Sequence, residues 1–223
     1  MAKPIRPEPK FFLIDELFDR GVEYYSRTWF ENLPPDRLYG EKSTNYLESP
    51  WAAERIAATL PNVKLIFLLR DPIDRAYSNF RWSRANGMEA ETDFALALEL
   101  EESREANLPE KLRYARPHAY FSRGLYADLL APYFAAFPRD RILVLRHEDI
   151  EAAPGDVAAQ LHRFLGVTAR PHDADELGII NAAPQTDVPS LSHSLRAALI
   201  ERYREPNRRL SALLGPSFKL WLG

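Results

Sequence analysis

The segment LIFLLRDPIDRAYS, residues 65–78, carries residue types that bind phosphate. Arg70 follows an apolar run, and Asp71 with the proline after it is typical of the start of a helix. Because a helix N-terminus offers free N–H groups and a positive dipole, an arginine beside it predicts a phosphate site. Ser78 lies about two turns further on, on the same helix face as Asp71. The alternative is a structural ion pair of Arg70 with Asp71 or Asp74.

A second candidate is GEKSTNY, residues 40–46, in which Lys42 ends a short predicted strand, RLYGEK. The letters GEKS resemble the end of a Walker A loop, but that motif requires a glycine where Pro35 stands, so this is not a P-loop. A lysine at the end of a strand can neutralise charge on a group in transfer. The alternative is a surface ion pair between Lys42 and Glu41.

A third candidate is RPEPKFF, residues 6–12, where Glu8 stands between two prolines and before Lys10. Prolines restrict the backbone, so they can hold Glu8 in place as a general base. The alternative is an extended N-terminal segment without a catalytic role.

Two apolar runs define the elements that must position these residues: VKLIFLL at 63–69 and ILVL at 142–145. Neither alternates polar with apolar residues, which is typical of strands buried on both faces of a parallel sheet. Each is followed by a helical pattern. The sequence therefore predicts an α/β fold, a three-layer sandwich with a central parallel sheet and ligands at the carboxyl ends of its strands.

Several helix ends are also visible. Ser49 before a proline predicts the start of WAAERIAATL, and Thr92 is the expected cap of DFALALELEESREA. Pro132 predicts a bend in the helix at 125–137. Ser190 is the expected start of the last helical segment, which Pro206 is expected to interrupt.

Composition excludes several classes of protein. The 223 residues suit one domain, 1–223, and the net charge of −3 argues against a nucleic-acid partner. The chain has no cysteine, so disulfides and thiolate chemistry are excluded. Its five histidines lack metal-ligand spacing, which predicts no metal. No apolar run is long enough to span a membrane and no signal peptide is visible, so we expect a cytoplasmic protein.

Taken together, the segments resemble the sulfotransferases that use 3'-phosphoadenosine 5'-phosphosulfate (PAPS), particularly the heparan sulfate branch and its bacterial relatives. EPKFF is similar to the family element KEPHFF, GEKSTNY to EKTPAY, and LLRDPIDRAYS to the segment that binds the donor 3'-phosphate. Three later segments follow in the family's order: SRGLYADLLAPYFAAFP, RILVLRHEDI and YREPNRRLSALLG. The resemblance implies a sulfotransferase fold of the P-loop NTPase type.

The same resemblance implies roles for matching residues. Arg70 and Ser78 correspond to ligands of the donor 3'-phosphate, Glu8 to the base that deprotonates the acceptor, and Lys42 to a lysine beside the sulfuryl group. The implied reaction is in-line transfer of that group to a hydroxyl or amine, releasing adenosine 3',5'-bisphosphate.

A second set of implied contacts concerns both substrates. Arg123, in the segment that begins at Ser122, is assigned to the donor. Lys10, Tyr46 and Tyr126 are assigned to the acceptor.

Three departures from the family pattern stand out. Pro7 replaces the lysine before the glutamate of KEPHFF, and Lys10 replaces its histidine. Residues 181–190 lack the basic, glycine-containing loop of the family. The family's PKxGTT-like strand and loop should precede RPEPKFF, so we expect a shortened form of a longer protein. The alternatives are a strand supplied by another chain, which would favour a homo-oligomer, or a donor-binding remnant without turnover.

The acceptor is expected to be a small molecule, a glycan or a lipid-linked compound, with residues 86–116 beside it. A non-catalytic nucleotide-binding or scaffold module is the alternative function. A nucleotide kinase is disfavoured because the sequence has no Walker A motif.

Overall fold

A computed structural model describes residues 8–34, 36–168 and 190–221 of the chain. Two strands lie in these ranges, β1 (Leu65–Leu69) and β2 (Ile142–Arg146). The helices are α1 (Asp15–Phe18), α2 (Gly21–Phe30), α3 (Pro50–Thr59), α4 (Pro72–Ala85), α5 (Phe94–Glu99), α6 (Glu101–Ala106), α7 (Tyr126–Ala136), α8 (His147–Ala152), α9 (Pro154–Leu165) and α10 (His193–Leu214). Pro7 and residues 181–189, on which two of the departures above depend, lie outside the described residues.

The two strands pair in parallel, as predicted, with Leu65 opposite Ile142 and Leu69 opposite Arg146. Their carboxyl ends therefore reach the same edge of the sheet. Arg70, which follows β1, leaves the sheet beside the end of β2. Parallel sheets bind their ligands at this edge.

The prediction that β1 is buried on both faces is wrong within the described ranges. Leu69 is only 1% exposed and Phe67 packs against Tyr133, but Ile66 and Leu68 are 42% and 49% exposed. Successive side chains of a strand point to opposite faces. The face that carries Phe67 and Leu69 is therefore covered, whereas the described elements leave much of the other face open.

An aromatic cluster connects the N-terminal segment to the covered face of the sheet. Phe11 and Phe12 are 1% and 2% exposed, and the ring of Phe11 stacks on Tyr25 of α2 with 4.6 Å between centroids. Small residues of α3 complete this core beside α7 and the sheet. The segment that carries Glu8 is thereby held close to the sheet.

The predicted starts of α3 and α4 are confirmed. The Ser49 hydroxyl accepts a hydrogen bond from the N–H of Ala52 at 3.2 Å. The Asp71 carboxylate accepts from the N–H groups of Ile73 and Asp74 at 2.8 and 3.0 Å. Both helices also have proline in their first turn, as the sequence indicated.

Two expectations around the middle of the chain are wrong. Asp93, rather than Thr92, caps α5, because its carboxylate accepts from the N–H of Ala95 at 2.8 Å. The segment RLYGEK, residues 37–42, contains no strand. It approaches the 3-10 helix Thr44–Glu48 without ladder hydrogen bonds, so Lys42 is positioned by side-chain contacts instead.

The last helix also differs from the prediction. Ser192, rather than Ser190, caps α10, with its hydroxyl accepting from the N–H of Leu195. Pro206 does not interrupt the helix, which continues to Leu214 and is capped by Gly215. Proline removes one backbone hydrogen bond, and burial of apolar side chains on both sides of it, at Leu199, Tyr203, Leu210 and Leu214, holds the helix together.

Gly124 lies against the start of α4 and against Tyr203 of α10. A Cβ at this position would lie 2.5 Å from Tyr203 Oη and 2.8 Å from Pro72 Cβ. The Tyr203 hydroxyl in turn donates to the Phe121 carbonyl at 2.8 Å. Only glycine allows α10 and the start of α4 to meet here without displacing that hydrogen bond.

We therefore expect Gly124→Ala to lower the free energy of unfolding by about 1–3 kcal/mol, the usual cost of overpacking. Urea unfolding followed by circular dichroism measures it. Gly155→Ala is the matched control, because a Cβ there meets nothing within 4 Å. Equal stability of the two variants would contradict this account of Gly124.

Candidate active site

The structure brings together the two predicted catalytic side chains, Glu8 and Lys42. Lys42 Nζ donates to Glu8 Oε1 at 2.6 Å. Thr44, which the sequence analysis did not single out, donates to Glu8 from its hydroxyl at 2.5 Å and its N–H at 3.1 Å. The alternative ion pair of Lys42 with Glu41 does not form, because Lys42 turns towards Glu8.

These donors govern the ionisation of Glu8. Partial burial raises the pKa of its carboxyl, but the hydrogen bonds from Lys42 and Thr44 outweigh burial and leave the pKa below its ordinary value. Glu8 is therefore ionised at neutral pH and able to accept a proton. The Lys42 side chain is 78% exposed, so the pair is open to solvent on that side.

Lys10 and Tyr46, assigned to the acceptor, lie on the segments that form this pair. The N–H of Lys10 donates to Ser43 Oγ at 3.0 Å, and its ammonium lies 5.1 Å from the centroid of the Tyr114 ring. Tyr46 Oη accepts from the N–H of Phe12 at 3.3 Å. The half-buried Lys10 side chain thus lies against an aromatic ring, whereas the Tyr46 hydroxyl contacts the backbone. Their roles towards an acceptor stay predictions.

Arg70 lies at the ligand edge of the sheet, and Tyr126 supports its backbone. Tyr126 Oη donates to the Arg70 carbonyl at 2.8 Å. Tyr126 is 3% exposed, and this burial raises the pKa of its phenol to about 12. Its assignment to the acceptor stays a prediction, and the contact observed is with the chain segment that holds Arg70.

The alternative ion pair of Arg70 with Asp71 or Asp74 is not found among the described residues. Asp71 caps α4, and Asp74 forms an ion pair with Arg196 of α10. Ser78 lies in α4, about two turns beyond the cap, as predicted.

A cleft of about 520 Å³ opens at the carboxyl ends of the strands. Glu148 of α8 spans this edge, since its Oε1 accepts from the N–H of Asp71 at 2.8 Å. The Arg146 guanidinium lies 5.7 Å from the centroid of the Trp221 ring. The lining includes Asp71, Asp74, Arg146, Glu148, Lys219 and Trp221. Both acidic and basic groups line the cleft, so any phosphate must be bound by individual cations.

Arg123, predicted to bind the donor, is part of a buried ionic network. Its Nε lies 2.7 Å from Glu48 Oε1, and it also donates to the carbonyl groups of Ala115 and Arg116. Burial raises the pKa of Glu48, although Arg123 and Arg116 oppose that rise. Because its guanidinium is occupied in this way, the donor role of Arg123 stays a prediction.

Arg116 extends this network to Ser122, the residue that begins the segment assigned to both substrates. The guanidinium of Arg116 donates to Ser122 Oγ at 2.7 Å and lies 3.4 Å from Glu48. Its backbone has φ of 44°, in the left-handed region that non-glycine residues seldom adopt. The sequence shows no pattern that predicts these contacts, since they join residues from separate segments.

In the described ranges, no three side chains with metal-binding groups come together. No described helix has both the length and the apolar composition required to cross a bilayer.

Comparison with known proteins identifies the class to which this fold and site belong. Residues 21–180 match the family model of the sulfotransferase domain. The match covers most of the chain, so the chain belongs to the sulfotransferase domain family. The predicted resemblance is confirmed.

A solved sulfotransferase from Alicyclobacillus acidocaldarius has the same fold, with a TM-score of 0.72 and 28% identity. The match covers 94% of this chain and 83% of that one. This similarity confirms the predicted α/β fold of the sulfotransferase type.

Curated relatives include two bifunctional heparan sulfate N-deacetylase/N-sulfotransferases. Enzyme 1 of Xenopus laevis is 27% identical over 229 residues, 92% of this chain, and enzyme 3 of Mus musculus is 27% identical over 244 residues, 97% of this chain. The match covers 26% and 28% of their lengths, so the chain spans about a quarter of these relatives.

The lowered pKa of Glu8 makes stability depend on pH. A carboxyl whose pKa is lower in the folded state stabilises the fold above its ordinary pKa, here 4.5, and loses this contribution as pH falls through the folded value. We expect Glu8→Gln to lower the free energy of unfolding by about 1 kcal/mol at neutral pH and by nothing at about pH 2.

Urea unfolding of parent and variant between these pH values tests this expectation. Arg204→Ala, which removes an exposed pair with Glu201, is the control that should show no such pH dependence. A destabilisation by Glu8→Gln that is constant with pH would show that Glu8 is not ionised against Lys42.

Proposed function

We propose that this chain is an enzyme that transfers a sulfuryl group from PAPS to a hydroxyl or amine. The observation that supports it most directly is the pairing of Glu8 with Lys42, because the two side chains lie 34 positions apart in the sequence and meet at 2.6 Å. A proton acceptor and a cation side by side are the two groups that the reaction requires from the protein.

The proposed chemistry is a single displacement. The donor supplies a sulfuryl group whose bond to the phosphate oxygen breaks as a bond from sulfur to the acceptor oxygen or nitrogen forms. Glu8 takes the proton that the acceptor loses, and the Lys42 ammonium neutralises charge on the transferring group. Thr44 keeps the Glu8 carboxylate oriented through two hydrogen bonds while Lys42 changes partner.

The donor's 3'-phosphate is proposed to bind Arg70 and Ser78. Asp71 already occupies two N–H groups at the start of α4, so side chains rather than the free helix end supply most of the binding. Arg70 is suited to this because no other described residue forms an ion pair with it. An arginine and a hydroxyl together supply several donors to one phosphate.

The acceptor is proposed to be a glycan or a small molecule. The relatives named for heparan sulfate support a glycan, and the Lys10 ammonium beside Tyr114 offers a cation and an aromatic face for sugar recognition. A cytoplasmic location and a homo-oligomeric state remain predictions from the sequence. The alternative function is a module that binds the nucleotide without transferring sulfate.

Calorimetric titration with adenosine 3',5'-bisphosphate tests the donor site. We expect Arg70→Ala to weaken binding by about tenfold to a hundredfold, because a hydrogen bond to a charged group contributes about 1.5–3 kcal/mol. Arg204→Ala, far along α10 in an exposed pair, should bind like the parent. Binding that is the same in all three proteins would exclude Arg70 as the phosphate ligand.

A transfer assay separates an enzyme from a binding module. With labelled PAPS and a panel of glycans and phenols, we expect Glu8→Gln to lower kcat by about 10²–10⁴-fold while donor affinity is retained, since a positioned general base contributes about that much. Lys42→Met should also lower kcat. Nucleotide binding without transfer by the parent would favour the alternative function.

A further inference from the structure

Glu41 is a second carboxylate next to the Glu8–Lys42 pair, and it has no role in the mechanism above. Its Oε2 accepts from Ser43 Oγ at 3.1 Å, and the phenols of Tyr25 and Tyr46 lie near enough to oppose the rise in its pKa. Burial raises the pKa of Glu41, and the negative charge of Glu8 raises it further. The residue is therefore close to Glu8 but turned towards the protein.

Residues 41–44 have two faces that serve different partners. Lys42 and Thr44 point to Glu8, whereas Glu41 and Ser43 point inwards. Ser43 has extended backbone angles, φ −130° and ψ 112°, and alternate residues of an extended chain lie on the same face. When Glu41 and Ser43 are held in place, the positions that Lys42 and Thr44 can take are therefore restricted as well.

The hydroxyl groups around Glu41 also hold the segment that carries Glu8. Ser43 Oγ accepts from the N–H of Lys10, and Tyr46 Oη accepts from the N–H of Phe12. Lys10 has φ of 51°, a conformation that costs a non-glycine residue about 1 kcal/mol and requires support from its surroundings. Both chain segments are therefore attached to one group of hydroxyls around one carboxylate.

We propose that Glu41 is a positioning residue. Its half-buried carboxylate accepts from the Ser43 hydroxyl beside the Tyr25 and Tyr46 phenols, and through Ser43 it sets the distance and orientation at which Lys42 and Thr44 meet Glu8. It touches neither substrate. The catalytic consequence rests on the proposed function, but the geometry itself is independent of the reaction.

Two substitutions separate geometry from charge. Glu41→Gln removes the charge and retains an oxygen that accepts hydrogen bonds, whereas Glu41→Ala removes both. We expect the pKa of Glu8 to stay low in Glu41→Gln and to rise towards its ordinary value in Glu41→Ala, because Lys42 and Thr44 no longer reach Glu8. Carbon-13 NMR titration of the Glu8 carboxyl measures it, with the resonance assigned from Glu8→Gln.

Two further variants keep the test decisive. Ser43→Ala breaks the connection between Glu41 and Lys10 and should raise the pKa of Glu8 in the same direction, even if Glu41→Ala does not fold. Glu89→Ala is the matched control, because it removes a buried carboxylate that accepts from a phenol, Tyr120, without sharing any of these contacts. It should leave the Glu8 titration unchanged.

The proposal is overturned if the Glu8 titration is unchanged in folded Glu41→Ala and Ser43→Ala, or if Glu89→Ala moves it equally. The titration needs no substrate, so a parent without sulfuryl transfer would contradict the proposed function and leave this test intact. Where transfer is observed, Glu41→Ala should lower kcat by about tenfold or more with the donor KM unchanged. Loss of transfer in Glu8→Gln but not in Glu41→Ala would support the function and overturn the positioning role.

Discussion

The candidate site depends on the burial of two consecutive phenylalanines, Phe11 and Phe12. Full burial of such a side chain contributes about 1.5–3 kcal/mol, so this dipeptide anchors the N-terminal segment against α2, α3 and the sheet. Without that anchor nothing in the local sequence would hold Glu8, three residues earlier, near Lys42. With it, the carboxylate stays within hydrogen-bonding distance of Lys42 and Thr44.

Polar contacts then supply the orientation that apolar burial cannot. Apolar contact is not directional, whereas each donor of Glu8 lies within 2.5–3.1 Å of a particular oxygen. A low pKa and a proton-accepting role are compatible, because the base must be ionised before it can act. A low pKa makes Glu8 a weaker base. Movement of the Lys42 ammonium from Glu8 to a substrate would restore part of that basicity.

The donor side is organised by different constraints. The parallel register of β1 and β2 brings Arg70 to the ligand edge, and Tyr126 and Glu148 both hold the peptide bond between Arg70 and Asp71. Arg123 and Arg116 are committed to Glu48. The cations that the sequence offers for anion binding therefore divide into those that hold the fold and those, such as Arg70, that remain available.

Local sequence was enough for the parallel strand pair, for the capped starts of α3 and α4, and for the candidates Glu8, Lys42 and Arg70. These depend on neighbours within a few residues: a cap, a proline, an apolar run or a family motif. The cap of α5 was misplaced by one residue because Thr92 and Asp93 are both suitable caps, and only the hydrogen bond to Ala95 distinguishes them.

Tertiary structure alone decided what each polar side chain contacts. Lys42 pairs with Glu8 rather than with adjacent Glu41, because burial of the aromatic cluster brings residues 8–12 against residues 41–46. Pro206 stays within α10 because packing on either side compensates for one lost hydrogen bond. The energy of an ionic contact depends on the distance between the charges in space and not on their separation along the chain. The sequence therefore identifies the charged groups, and the fold determines which of them pair.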